Sequence, residues 1–142
     1  MNLTYDGTAK LSWPVEGREI LMDYSMDSTV YYATLNQYKV SKGILIQAEP
    51  GSAVLAPANG LVTQVGTNEE IGNYIELKLG ENYSVILGNL TDITVSQDQY
   101  ILQGTVLGNL AEPTKYYVVE GPNLYLEMRN GTEPVDPLVH LE

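Results

Sequence analysis

The sequence carries one histidine, His140, and no cysteine. Those two facts narrow the available chemistry. Without cysteine there is no disulfide, no thiolate zinc site and no cysteine nucleophile. His140 stands alone in a Pro-broken tail, "PVDPLVHL", and a lone histidine is more often a surface or satisfied core residue than a metal ligand. Among the carboxylates, the pairs Glu69–Glu70 and Glu133/Asp136 read as solvated loop charges. A carboxylate-only site would suit calcium or magnesium better than zinc, and no Asp-x-Asp-x-Asp-Gly loop is present. Ser41 has no base near it in the sequence, and there is no Gly-x-Ser-x-Gly turn to present a nucleophile.

The elements that would position any site are β-strands. In "NYIELKLGENYSVILGNL", Ile75, Leu77 and Leu79 alternate with Glu76 and Lys78, then "GEN" supplies a turn, and Tyr83, Val85 and Leu87 alternate again. That spacing predicts a β-hairpin. "GILIQAEPGSAVLAPANGLVTQVG" predicts three more short strands, separated by Pro50-Gly51 and Asn59-Gly60. "QYILQGTVLGNL" predicts another, with tight turns at Gly104 and Gly108, and "NLYLEMR" sets Leu124, Leu126 and Met128 against Tyr125 and Glu127. "KLSWPVEGREILMDYS" reads as a strand with Trp13 over one end of the core, and "DSTVYYATLNQYKVSKG" as a loop or an edge hairpin. The expected fold is all-β: one domain over residues 1–142, less regular over about 1–40, with a β core over 41–142 built as two packed antiparallel sheets or a flattened barrel.

Composition sets outer bounds. A chain of 142 residues with 44% hydrophobic content can bury a real core. The formal net charge of −11 and the scattered basic residues argue against nucleic acid and against contact with an anionic membrane. No apolar run approaches the roughly 20 residues that cross a bilayer, and Met1 opens no signal-peptide pattern. The polar start "MNLTYDGTAK" reads as a chain trimmed of its natural N-terminus, and the final "LE" as a cloning scar.

The order of motifs resembles the lysostaphin-type (LytM, M23) zinc endopeptidases of bacterial cell walls. "WPVEG" at 13–17 is similar to the family's opening segment, and "SKGILIQAEPGSAVLAPANGLVTQVG" to the stretch that carries its first histidine and its aspartate. "SVILGNL" resembles the strand ending Tyr-x-His-Leu, "VSQDQYILQGTVLG" the run of spaced glycines, and "GPNLYLEMRNGTEPVDPLVHL" the closing His-x-His-Phe-Glu strand with its Val-Asp-Pro tail. The resemblance implies a zinc site held by two histidines and an aspartate, with two further histidines beside a metal-bound water. Carried over, the first ligand histidine falls on Ser41, the aspartate on Leu45, the histidine of Tyr-x-His on Asn89, and the closing pair on Asn123 and Tyr125. Only the glutamate of the closing strand persists, as Glu127. The resemblance therefore implies a scaffold with no catalytic residue, no metal and no cofactor, whose old cleft at Ser41, Leu45, Asn89, Asn123 and Tyr125 either still holds a peptide or glycan or is closed by side chains such as Leu45.

Two other readings carry less weight. "LAPANGLVTQV" resembles the turn pattern of biotinyl and lipoyl carrier domains, yet the comparable hairpin tip reads "GEN", with no lysine to modify. Eleven tyrosines and no phenylalanine suit a recognition surface, with Tyr31, Tyr32, Tyr38, Tyr116 and Tyr117 expected in loops as contact residues. The family resemblance implies a non-catalytic module outside the cytoplasmic membrane, preceded by a membrane anchor or coiled coil. Its expected partner is a protein of the cell envelope (a cell-wall hydrolase, or a division or sporulation component) or peptidoglycan. The alternatives are a zinc peptidoglycan endopeptidase with a rebuilt site and a purely structural domain of a larger envelope protein.

Overall fold

Period-two alternation produces a sheet with two unlike faces, and those faces decide where the core and the cleft lie. The computed structural model describes residues 3–142. Among these are twelve strands, a 3-10 turn at Pro137–Val139 and no α-helix. The strands are β1 (Ile20–Met22), β2 (Ser25–Tyr32), β3 (Gln37–Ser41), β4 (Gly43–Gln47), β5 (Ala53–Leu55), β6 (Gly60–Asn68), β7 (Gly72–Lys78), β8 (Tyr83–Thr91), β9 (Tyr100–Ile101), β10 (Val106–Leu110), β11 (Asn123–Asn130) and β12 (Glu133–Val135). Ten of them form one antiparallel sheet with the main order β1-β4-β11-β8-β7-β6-β9; β10 bridges β5 and β8, and β12 lies on β11. β2 and β3 stand apart as a two-stranded hairpin.

The expected hairpin is β7–β8, closed by Leu79 N–H donating to the Tyr83 carbonyl at 2.9 Å. Residues 43–66 supply β4, β5 and most of β6, as the turn residues predict. "QYILQGTVLGNL" differs from expectation by giving two strands rather than one. A turn in which Thr105 N–H donates to the Leu102 carbonyl at 3.1 Å, with Gly104 at φ +84°, separates β9 from β10. In the N-terminal segment only β1 joins the sheet, through β4, so the sheet begins before residue 41. The stretch 27–43 is the edge hairpin of its two alternatives, turning at Asn36 with φ +52°. Tyr31, Tyr32 and Tyr38 consequently lie on strands β2 and β3, not in loops.

One face of the sheet is the main core. Ile44 and Ile46 of β4, Ile75 and Leu77 of β7, Val85 and Leu87 of β8, and Leu124, Leu126 and Met128 of β11 pack in it. Each fully buried aliphatic side chain there contributes about 1.5–3 kcal/mol. The other face carries two cross-strand rows. Tyr125, Gly88, Tyr74 and Gly66 face one another in register across β11, β8, β7 and β6, and Glu127, Ile86, Glu76 and Gln64 form the next row. The glycines have a steric role: a Cβ on Gly66 would lie 2.7 Å from the Tyr74 hydroxyl, and one on Gly88 would lie 3.0 Å from Ile71. Their bareness lets Tyr74 and Ile71 lie flat across the sheet.

β4 is buried on both sides. Leu45 points away from the main core into a second apolar cluster with Met22, Tyr32 and Tyr117, against which Leu21, Val30, Leu35, Tyr116 and Tyr125 pack. The hairpin is fastened over this cluster by Thr34, whose hydroxyl donates to Glu120 at 2.6 Å and accepts the Val119 N–H at 2.8 Å.

The chain ends meet on another side. Leu11 N–H donates to the His140 carbonyl at 2.7 Å and Glu142 N–H to the Leu11 carbonyl at 3.0 Å, which makes a parallel bridge between Leu11 and Leu141. Trp13 packs on the core as expected and donates its indole N–H to the Glu142 carbonyl at 2.8 Å. Asp136 accepts the Leu138 N–H at 3.0 Å and so caps the 3-10 turn.

Candidate functional site

The second face of the sheet, roofed on one side by the β2–β3 hairpin, leaves a cleft of about 540 Å³. It is lined by Gln64, Tyr74, Glu76, Ile86, Tyr125, Glu127 and Arg129 of the sheet, by Tyr32, Lys39, Val40 and Lys42 of the hairpin and the bend after it, and by Asn68, Glu70, Ile71 and Tyr117 beside them. Two acids in it are bonded in the same manner, each to a tyrosine hydroxyl and to a cation. The Tyr125 hydroxyl donates to Glu127 Oε1, while Arg129 Nε donates to Glu127 Oε2 at 2.6 Å. The Tyr117 hydroxyl donates to Glu70 at 3.1 Å, and Lys39 Nζ stands 3.6 Å from the same carboxylate and 4.6 Å from the centre of the Tyr32 ring.

Burial, and then the charge of Glu127, push the Tyr125 hydroxyl far above its ordinary range. Burial and the charge of Glu70 do the same to Tyr117, and burial raises Tyr32. All three are held as neutral hydrogen-bond donors, so none is a base.

Of the five positions singled out in the sequence, Tyr125 alone lines the cleft. Leu45, its Cα partner across β4 and β11, is 1% exposed within the second apolar cluster. Ser41 is buried and donates to the Gly43 carbonyl at 2.8 Å. Asn89 and Asn123 are buried and spent on backbone: Asn89 donates to the carbonyls of Asn123 at 2.9 Å and Ala111 at 3.2 Å, and Asn123 donates to that of Gly121 at 2.7 Å. They tie the 111–122 loop to the sheet.

Asn89 also holds a left-handed backbone at φ +69°, a conformation asparagine tolerates better than most residues. Asn89→Ala should lower unfolding free energy by about 2 kcal/mol, because two carbonyls lose a donor and the backbone becomes strained. Asn89→Gly should recover only the backbone part. Denaturant titration of both variants checks this, and an Asn89→Gly variant as stable as the parent would show that the amide bonds contribute nothing.

These residues do not suit zinc. Leu45 has no donor atom, the Ser41 and Asn89 side chains are committed to carbonyls, and the Tyr125 hydroxyl is bound to Glu127. Among the described residues no three His, Cys, Asp or Glu side chains converge to hold a metal. His140 is half-buried elsewhere, its Nδ1 2.9 Å from the Tyr5 hydroxyl and its ring beside Tyr83.

Several cleft residues escaped the sequence reading. Glu70, read as a solvated loop charge, is fixed in the cleft lining. Tyr117 and Tyr32 are buried rather than offered for contact, whereas Tyr31 and Tyr38 are exposed on the outer face of the hairpin, their rings 5.1 Å apart. Arg129 was within reach of sequence logic, because alternation along β11 puts it on the face of Tyr125 and Glu127.

The model of peptidase family M23 matches residues 39–137. The chain belongs to peptidase family M23. This M23 domain superposes on a chain of the SpoIIQ–SpoIIIAH pore-forming complex with a TM-score of 0.78 at 21% identity, covering 94% of this chain and 92% of that one. It superposes on a zinc-containing peptidase from Vibrio cholerae with a TM-score of 0.76 at 20% identity, covering 91% of this chain but only 39% of the peptidase. For the catalytic domain of lysostaphin from Staphylococcus simulans the TM-score is 0.63 at 17% identity, with 87% and 90% of the two chains covered. No curated protein sequence matches the M23 domain. No helix among its described residues is long and apolar enough to cross a membrane.

Proposed function

We propose that this M23 domain is a non-catalytic module of the bacterial cell envelope, working outside the cytoplasmic membrane and engaging a protein partner such as a cell-wall hydrolase or a division or sporulation component. One observation carries the reading. The position at which the resemblance puts the metal-binding aspartate is Leu45, and it sits at the centre of an apolar cluster with Met22, Tyr32 and Tyr117. A hydrated metal and an apolar cluster cannot share that space. The similar fold of a chain in the SpoIIQ–SpoIIIAH pore-forming complex supports a protein as the partner. The cleft that stays open, lined by Tyr74 and Tyr125, supports peptidoglycan as a second ligand.

The test is direct. The domain is dialysed against zinc, its metal content measured, and the product incubated with purified peptidoglycan. The expected result is no stoichiometric zinc and no released muropeptides. One zinc per chain together with turnover would overturn the proposal. Crosslinking in intact cells separates a partner-binding module from a structural domain, which would give no specific adduct.

A further inference from the structure

We propose that the β2–β3 hairpin is a hinged lid. It lifts as one unit about residues 26–29 while the ten-stranded sheet stays folded, and Thr34 is the latch that holds it shut.

The attachment of the hairpin is mostly to itself. Among the described residues, β2 and β3 pair only with each other, and no backbone hydrogen bond joins residues 25–41 to the ten-stranded sheet. The turn bond, from Asn36 N–H to the Ala33 carbonyl at 3.4 Å, is internal. So are the side-chain bonds of Tyr31 to Asn36 at 2.7 Å, of Tyr32 to the Val40 carbonyl at 2.9 Å and of Ser25 to the Ser28 carbonyl at 2.6 Å. Away from its base the hairpin has two polar ties to the rest of the described chain. One is the Thr34 hydroxyl, shared between Glu120 and the Val119 N–H. The other is the Lys39–Glu70 ion pair at 3.6 Å, whose side chains are 39% and 43% exposed. A pair that open to solvent holds little. The apolar seat is small as well: Tyr32, with Val30 and Leu35 beside it, resting on Met22, Leu45 and Tyr117.

The hinge is built into the strand register. Ser25 faces Ser41 and Val30 faces Lys39, so the four residues 26–29 stand opposite Val40 alone. A bulge of that size interrupts the ladder and lets the strand bend. Below it both segments are anchored. Met22 pairs with Leu45, and the Tyr24 hydroxyl donates to the Pro134 carbonyl at 3.1 Å. Gly43 pairs with Glu127 so closely that a Cβ on it would lie 2.5 Å from the Leu126 carbonyl oxygen. A fixed base, an irregular joint and a self-bonded arm make a hinge.

The latch carries a cost of its own. Glu120 accepts the Thr34 hydroxyl through Oε1, but its Oε2 is enclosed with no hydrogen-bond partner. Lifting the hairpin returns water to that oxygen, which offsets part of what the latch contributes. The closed state therefore dominates, yet the hairpin opens far more readily than the sheet beneath it. Opening carries Tyr32, Lys39 and Val40 away from the cleft together and bares Leu45 and Tyr117. It needs neither a metal nor a partner, so it does not depend on whether the domain is catalytic.

Native-state hydrogen exchange of the whole domain, in water and in increasing sub-denaturing urea, tests the lid. Amides of Val30–Tyr32 and Gln37–Lys39 should exchange at least about a hundredfold faster than those of β7 and β8. They should share one urea slope, smaller than that of the sheet, because one unit exposes a limited surface. Thr34→Val removes both latch bonds and should speed exchange in the hairpin about tenfold further, with β7 and β8 unchanged. Thr34→Ser keeps the hydroxyl and should stay close to the parent. Four results would each overturn the proposal: hairpin protection equal to that of the sheet, unrelated slopes within the hairpin, a Thr34→Val effect that is absent or equally large in β7 and β8, or a Thr34→Ser protein as fast as Thr34→Val.

Discussion

Leu45→Asp, which writes back the residue that the family resemblance puts at this position, should destabilise the domain by about 3–5 kcal/mol. The expected loss follows from where the side chain goes. Leu45 is 1% exposed and its neighbours are Met22, Tyr32 and Tyr117, with Tyr125 packed against them. The Tyr32 hydroxyl is already donated to the Val40 carbonyl, the Tyr117 hydroxyl to Glu70 and the Tyr125 hydroxyl to Glu127. A new carboxylate would therefore find the hydroxyls of Tyr32, Tyr117 and Tyr125 already committed. It would be a buried, unpaired charge, and it would also remove the apolar volume that holds the hairpin down.

The pH dependence has a definite sign. Burial raises the introduced carboxyl's folded pKa above its unfolded value near about 4. The native state then binds more protons than the unfolded state, so the penalty is full at neutral pH and shrinks as pH falls through the folded pKa. Denaturant titrations of parent and variant at pH 7 and pH 5 measure it. A Leu45→Asp protein as stable as the parent at pH 7 would mean that the cluster opens readily, and the case against a metal at this place would weaken with it.

Glu127→Ala is expected to give the second large effect, a loss of about 2–3 kcal/mol. Glu127 is the residue that the family resemblance puts at the glutamate of the closing motif, and it joins Tyr125 to Arg129 on one strand. Its removal leaves a buried phenol and a guanidinium without their shared acceptor. The figure is held below that of a fully buried pair because the Arg129 side chain keeps 35% exposure, and solvent screens part of the interaction. Glu127→Gln should recover more than half of the loss, since it keeps an acceptor for Tyr125. A double-mutant cycle with Tyr125→Phe apportions the rest. A loss below about 0.5 kcal/mol in Glu127→Ala would show that the triad behaves as an exposed surface pair.

The sheet was legible in the sequence because its signals are local. Ile75, Leu77 and Leu79 alternate with polar neighbours, and glycine or proline marks each turn, so strand identity needs no knowledge of the far chain. The β2–β3 hairpin was harder. Five of the eight residues of β2 are exposed, so burial leaves little apolar rhythm to read. The cleft was legible only in outline. Resemblance located Tyr125 and Glu127, and alternation extends that line to Arg129. Nothing local shows that Lys39 meets Glu70, that Thr34 meets Glu120, or that Tyr32 and Tyr117 are buried. Those contacts join positions tens of residues apart, and they exist only after the hairpin folds over the sheet. The asparagines mislead for a related reason: Asn89 and Asn123 look like free polar groups in a string of letters, but three-dimensional packing spends them on carbonyls.

The parallel bridge between Leu11 and Leu141 has a mechanical side. In parallel neighbours, a pull on the earlier segment toward its start and on the later one toward its end slides the two past each other. The Leu11–His140 and Glu142–Leu11 bonds, with the indole of Trp13 on the Glu142 carbonyl, lie across that slide. Tension between the two ends therefore loads them together in shear instead of peeling them away singly.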